Sequence, residues 1–130
     1  MNGLRAYAST QQTTASKERL MVMLFNAALA HIRTGAEMLE RGQKMVATRP
    51  LFRAGDIVRH LRTSLDPSRD LELCRRLTDV YTFVEARLIV AYFSGDAGAA
   101  RDAERVFAPV AAAFAQAVAS MDARRPGEPA

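Results

Sequence analysis

Apolar residues recur every three or four positions along most of this chain, which is the spacing of an amphipathic helix. The first such pattern runs from about Lys17 to Arg41. Ser16 is suited to cap this helix, because its hydroxyl can accept an amide proton from the first turn. Gly42 is suited to end it, because glycine adopts left-handed geometry without a steric cost. The helix carries two apolar stripes, which predicts either the central helix of a bundle or a surface that receives another chain.

A second helical pattern follows after a short polar break. It is predicted to begin at Thr48–Pro50, because proline fits the first turn of a helix, where its missing amide proton costs nothing. An earlier first turn over residues 43–47 stays open, and Pro50 would then bend the helix. The pattern ends before Pro67, since a residue that precedes proline is pushed out of helical geometry.

Two more helices complete the pattern, and no segment shows the sustained alternation of a strand. The third helix is predicted to begin near Ser68 or Asp70 and to end at Ser94–Asp96. The fourth runs from about residue 97 to residue 121. Pro109 lies inside it and predicts a kink or a break, because an interior proline costs about 3 kcal/mol.

These patterns predict an all-α protein of one domain. At 130 residues the chain is long enough to bury a core without metals or crosslinks. We expect an antiparallel up-and-down four-helix bundle over residues 17–121, preceded by a short N-terminal cap segment over residues 1–16. Residues 122–130 contain no apolar side chain large enough to anchor them, so we expect a disordered tail.

Composition and charge narrow the function further. There is a single cysteine, no signal-peptide pattern and no apolar run long enough for a bilayer, so we expect a cytoplasmic chain without membrane insertion. The net charge is +4, and arginines crowd between Arg41 and Arg76. Nucleic-acid binding is an alternative here, but no helix-turn-helix or zinc-finger spacing accompanies these arginines, so a solvated basic face is preferred.

The residue types needed for catalysis are not arranged in any recognisable motif. A four-helix diiron site needs Glu-x-x-His pairs, and this sequence has none. It also has no glycine-rich phosphate loop, nucleophile elbow or cluster of cysteine and histidine at metal-ligand spacing. We therefore expect a protein that is not an enzyme and that needs no cofactor or metal.

Several short blocks follow one another in a fixed order along the chain. They are a tyrosine near the N-terminus, a Thr-Ala-Ser segment before a Leu-rich helix start, an Arg-Ala-x-Asp-Ile-Val helix that ends in Ser-Leu-Asp, and two blocks in the third helix. In this sequence these blocks are Tyr7, Thr14–Ser16, Leu20–Phe25, Arg53–Val58, Ser64–Asp66, Val80–Phe83 and Ala86–Ala91. In this order and at these spacings the blocks resemble those of the flagellar export chaperones of the FliS family. No gap is needed between them, and the similarity spans about residues 4–118.

The resemblance implies a cytoplasmic chaperone that binds the disordered C-terminal segment of flagellin, prevents its premature polymerisation and assists export. A groove between the second and third helices would receive this segment. Its expected lining is Ile57, Leu61, Tyr81, Val84 and Leu88. Tyr7 has no evident core role, so we expect the N-terminal segment to fold over the groove as a cap.

Two other kinds of partner stay open at this point. The bundle could be a regulatory module that binds another flagellar export protein or an anti-sigma protein through the same groove. Spare apolar surface could also let free chains form a weak homodimer.

Overall fold

Four helices make up the part of the chain that the computed structural model describes, namely the backbone of residues 2–124 and the side chains of residues 17–124. They are α1 (Asn2–Glu40), α2 (Lys44–Thr63), α3 (Leu71–Ser94) and α4 (Ala97–Ala123), and these residues contain no strand. α1 and α3 each pack against both α2 and α4, so the four helices occupy the corners of a square. Short connections make consecutive helices antiparallel. The predicted all-α four-helix bundle is confirmed.

The connections use the turn residues that the sequence predicts. Gly42 and Gly95 have φ values of 73° and 67°, in the left-handed region that glycine adopts without strain. Asp70 and Asp96 cap α3 and α4, and each accepts a hydrogen bond from the backbone amide three residues on, at 3.0 and 3.1 Å. The predicted end of the first helix and the predicted starts of the last two are therefore confirmed.

The predicted start of the first helix is wrong, and of the two starts left open for the second helix the earlier one is confirmed. α1 already includes Ser16, so this residue is not the N-cap, and α2 begins at Lys44 rather than at Thr48–Pro50. Serine is only a moderately weaker helix former than alanine, so a good cap residue does not by itself stop a helix. Pro50 lies inside α2 between Ala47 and Leu51, whose burial favours a continuous helix.

Pro109 does not break the last helix. α4 runs without interruption from Ala97 to Ala123, and the buried Phe107 and Ala111 lie on either side of the proline. Core packing on both sides offsets the hydrogen bond that the proline removes. The helix also extends two residues beyond the predicted boundary at residue 121. The last six residues of the predicted tail lie outside the described part of the chain, as do the side chains of the N-terminal segment, including Tyr7.

The core is aliphatic at one end of the bundle and aromatic at the other. Phe25 stacks on Phe107 and Phe114, with ring centroids 5.6 and 4.8 Å apart, and lies 6.4 Å from the ring of Tyr81. Towards the other end, alanines on α4 let the helices approach closely. They are Ala99, Ala100 and Ala103, all fully buried.

α1 also packs closely against α2. A Cβ atom placed on Gly35 would lie 2.5 Å from the Leu51 side chain, which is itself buried. Glycine is therefore required at this position by the neighbouring helix rather than by its own backbone geometry.

Ion pairs join α1 to α4 on the outside of this core. The guanidinium of Arg101 donates hydrogen bonds to Glu40 at 2.7 Å and to Glu104 at 2.9 Å. Arg33 donates to Glu104 at 2.7 Å. The start of α4 thus meets the end of α1, as the antiparallel arrangement requires.

By length and composition, α4 resembles a helix that could cross a membrane. Core helices of bundles share these properties, so this similarity carries little weight. In the bundle, the stripe formed by Phe107, Ala111 and Val118 is buried against the neighbouring helices.

Candidate partner-binding groove

An open apolar groove of about 270 Å³ runs between α2 and α3. α2 contributes its outer edge near the middle of the helix, and α3 contributes the C-terminal half of its outer face. The lining residues are Leu51, Phe52, Gly55, Asp56, Arg59, Glu85, Leu88, Ile89, Tyr92 and Phe93. A groove of this volume between two helices is large enough to accept several apolar side chains of another chain.

Large apolar side chains stand exposed along both walls of the groove. Phe52 on α2 is 58% exposed, and Ile89 and Phe93 on α3 are 57% and 70% exposed. Tyr92 lies between these walls, with its ring centroid 6.1 Å from Phe52 and 4.9 Å from Phe93. The three aromatic rings thus support one another in a cluster at one end of the groove.

A glycine keeps the middle of the groove open. No atom lies within 4 Å of the position that a Cβ atom on Gly55 would occupy. A side chain at this position would project into free space and narrow the groove. Leu51 and Leu88, both almost fully buried, contribute to the groove floor.

The other end of the groove is ionic. Arg59 donates a hydrogen bond to Asp56 at 2.9 Å within α2, and Arg62 donates to Glu85 across the helices at 2.6 Å. The hydrogen bond and charge of Glu85 raise the pKa of Arg62. This cross-helix ion pair connects α2 to α3 and marks the point where the apolar groove ends.

Of the five residues of the bundle that were predicted to line the groove, the structure places only one in its lining. Leu88 contributes to the floor, whereas Leu61, Tyr81 and Val84 lie in the core with almost no exposed surface. Burial raises the pKa of the Tyr81 hydroxyl to about 12. Ile57 is half-buried against the core and does not line the groove. A contact role for these residues, and for Tyr7, stays a prediction.

Sequence reasoning did not assign four residues to the groove, namely Phe52, Ile89, Tyr92 and Phe93. The sequence did contain a signal for Phe52 and Ile89. Phe52 and Ile89 each follow a core leucine directly, and adjacent residues on a helix point about 100° apart, so neither can share the core stripe. Apolar residues next to the stripe, rather than on it, form the groove walls.

The described residues contain no group of three or more side chains suited to hold a metal ion. What the fold and the groove define is a four-helix bundle protein with an exposed apolar surface of a kind that binds helices of other chains.

Comparison with known proteins identifies the family. The model of the family described as "Flagellar protein FliS" matches residues 1–121. The flagellar secretion chaperone FliS of Bacillus subtilis strain 168 is 28% identical over 119 residues, which cover 92% of this chain and 88% of that protein. The chaperone FliS of Salmonella typhimurium is 28% identical over 120 residues, covering 88% and 89%, respectively. The one from Escherichia coli K12 is 26% identical over 123 residues, covering 91% and 90%.

Since the family match covers nearly the whole chain, the chain belongs to the FliS family of flagellar secretion chaperones. The resemblance stated from the sequence motifs is thereby confirmed.

Proposed function

We propose that this chain is a cytoplasmic chaperone that binds the disordered C-terminal segment of flagellin in the groove between α2 and α3. By covering the segment through which flagellin subunits assemble, it would prevent premature polymerisation and deliver subunits for export. The observation that supports this most directly is the open groove whose walls carry Phe52, Ile89 and Phe93 exposed to solvent.

The energetics of the groove suit a disordered client. A segment that folds on binding loses conformational entropy, and burial of its apolar side chains must offset that loss. The three exposed wall residues offer this burial without any rearrangement of the bundle core. A client held in this way is bound through a few large apolar side chains. It can be released because it regains conformational entropy when it unfolds.

Calorimetry with a synthetic peptide from the C-terminus of the organism's flagellin tests the proposal. We expect binding at micromolar concentration, together with a gain of helical circular dichroism on mixing. Ile89→Ala and Phe93→Ala should each weaken binding by about 1–3 kcal/mol, since each removes apolar contact area at the groove.

Phe83→Ala is the matched control for these variants. Phe83 is also a large apolar residue on α3, 44% exposed, but it does not line the groove. Its replacement should leave peptide affinity unchanged. If the peptide fails to bind the wild-type chain, or if Phe83→Ala weakens binding as much as Phe93→Ala does, the groove is not the flagellin site.

The N-terminal segment with Tyr7 remains a proposed cap over this groove. If the segment competes with the client, deletion of residues 1–12 should strengthen peptide binding; if it closes over the bound client, the deletion should weaken it. Unchanged affinity would remove the cap from the proposed mechanism.

A further inference from the structure

The net positive charge of this molecule is concentrated on α2. It carries Lys44 and four arginines against the single carboxylate of Asp56, and five minus one leaves a net charge of +4, equal to that of the whole chain. α3 is neutral, with three cations and three carboxylates, and α4 is negative by one. The helix that forms one wall of the groove is therefore also the basic helix of the bundle.

Two of these arginines are already compensated. Arg59 is paired with Asp56, and Arg62 is paired with Glu85 on α3. Arg49 and Arg53 are exposed, and among the side chains of residues 17–124 no carboxylate pairs with either of them. Burial and, after it, the charge of Arg53 lower the pKa of His31 on the neighbouring α1. The positive charge on this face is thus not cancelled within the described part of the molecule.

Apolar side chains lie between these two arginines and around them. Met45 is 90% exposed, and Val46 and Phe52 are each more than half exposed. We call Met45, Val46, Arg49, Phe52 and Arg53 the α2 face. Phe52 belongs both to this face and to the groove wall, so the α2 face begins at the rim of the groove.

We propose that the client segment of this chaperone is an amphipathic helix with an acidic edge, whose apolar side enters the groove while its carboxylates pair with Arg49 and Arg53. This inference rests on the proposed function. Arginine binds carboxylates in a bidentate geometry, and opposite charge at the rim of an interface selects partners and speeds association.

An acidic protein segment fits the α2 face better than a nucleic acid or an anionic membrane does. A phosphate backbone would satisfy the arginines but would leave Met45, Val46 and the groove uncovered. An anionic bilayer needs a continuous apolar stripe to enter it. The continuous stripe of α2 is buried in the bundle core, and the exposed apolar residues of the α2 face are interrupted by Arg49 and Arg53. An acidic amphipathic helix covers both kinds of surface at once.

The test compares two double variants with the same change in net charge. R49Q/R53Q removes the two unpaired charges of the α2 face, whereas R75Q/R76Q removes two exposed charges from α3, outside the groove lining. With the flagellin C-terminal peptide as the probe, R49Q/R53Q should bind about tenfold more weakly than wild type, and R75Q/R76Q should stay within twofold. Circular dichroism confirms that both variants are folded.

Salt provides the second measurement. Binding to the wild type and to R75Q/R76Q should weaken steeply as sodium chloride is raised, and binding to R49Q/R53Q should depend on salt much less. Equal affinities of the two double variants would overturn the inference and leave the proposed function standing. If the wild type fails to bind the peptide at all, both fall.

The same variants are mixed with a 20-base-pair DNA duplex and with phosphatidylglycerol vesicles. The inference expects no saturable binding of either at physiological salt. A different result would overturn it. In that result the duplex or the vesicles bind the wild type but not R49Q/R53Q, whereas the peptide binds the wild type and R49Q/R53Q equally well.

Discussion

The two sides of this bundle are built for different purposes. Where α1 meets α4, aromatic rings stack in the core, alanines allow close packing, and Arg101 joins Glu40 to Glu104 on the outside. Where α2 meets α3, one ion pair crosses between the helices and a groove stays open beside it. We call the contact between α1 and α4 the closed side and the contact between α2 and α3 the open side. A free chaperone must be stable while part of its apolar surface is uncovered, and in this bundle the closed side provides tight packing while the open side carries the uncovered surface.

The largest expected effect comes from the closed side. Phe107 is fully buried and stacks on Phe25, so Phe107→Ala should lower the free energy of unfolding by about 3–5 kcal/mol, through lost burial and the cavity left behind. Urea denaturation monitored by circular dichroism measures this loss. Phe93→Ala, on the open side, should change stability by less than about 0.5 kcal/mol. Similar losses for both variants would contradict the division between the two sides.

The next prediction concerns Gly35, which lies where α1 packs against Leu51 of α2. Gly35→Ala would place a methyl group 2.5 Å from the Leu51 side chain, which must move within a filled core. We expect a loss of about 1–3 kcal/mol in the free energy of unfolding, the usual cost of overpacking. Adding Leu51→Ala to Gly35→Ala tests the cause. If the clash is the reason, the two substitutions together should cost less than the sum of their separate effects.

The same comparison explains which features could be predicted from the sequence. Helix ends set by local chemistry, such as those at Gly42 and Asp96, were predictable because one side chain or one backbone angle decides them. The start of α1 was not, and that of α2 stayed open between two positions, because helix propensity and core packing can override a good cap residue or a proline.

A groove does lie between α2 and α3, the pair of helices named from the sequence, but most of the residues that form its walls were not predicted. Periodicity identifies the apolar stripe of α3, yet it does not say that this stripe is used up by the core. Tyr81 and Val84 have the spacing of contact residues and are buried, whereas Ile89 lies one position beyond Leu88 and is exposed. Which apolar residues remain uncovered depends on how the four helices pack, and one sequence does not specify that geometry.

Gly55 lies in the middle of the groove on the open side of the bundle. A Cβ atom at this position meets nothing, and glycine inside a helix is less favourable than alanine, so Gly55→Ala should raise the free energy of unfolding by about 0.4–1 kcal/mol. Gly55→Leu should also fold, because its side chain extends into the groove rather than into the core. Thermal unfolding measures both effects. The leucine should in addition reduce binding of the flagellin peptide, and unimpaired binding would place the client elsewhere.

The smallest expected effect at neutral pH concerns the ion pairs of the closed side. Hydrogen bonds from Arg101 and Arg33 lower the pKa values of Glu40 and Glu104, respectively, below their ordinary range. A carboxyl group whose pKa is lower in the folded chain than in the unfolded chain stabilises the fold above its unfolded pKa. That contribution is lost as the pH falls through the folded value.

Arg101→Met removes the hydrogen bonds from that guanidinium but keeps an unbranched apolar stem like that of arginine. These groups lie at the surface and are only partly buried, so the variant should differ little from wild type at pH 7. Its stability should fall less steeply than that of wild type between about pH 5 and pH 3. In the variant the pKa values of Glu40 and Glu104 are lowered less, so protonation of these two groups removes less stabilisation. Urea midpoints at half-unit pH steps measure this slope, with Arg76→Met, which breaks an exposed pair within α3, as the control. If the acid slopes of wild type and Arg101→Met coincide, the ion pairs between α1 and α4 do not stabilise the closed side, and packing alone holds it together.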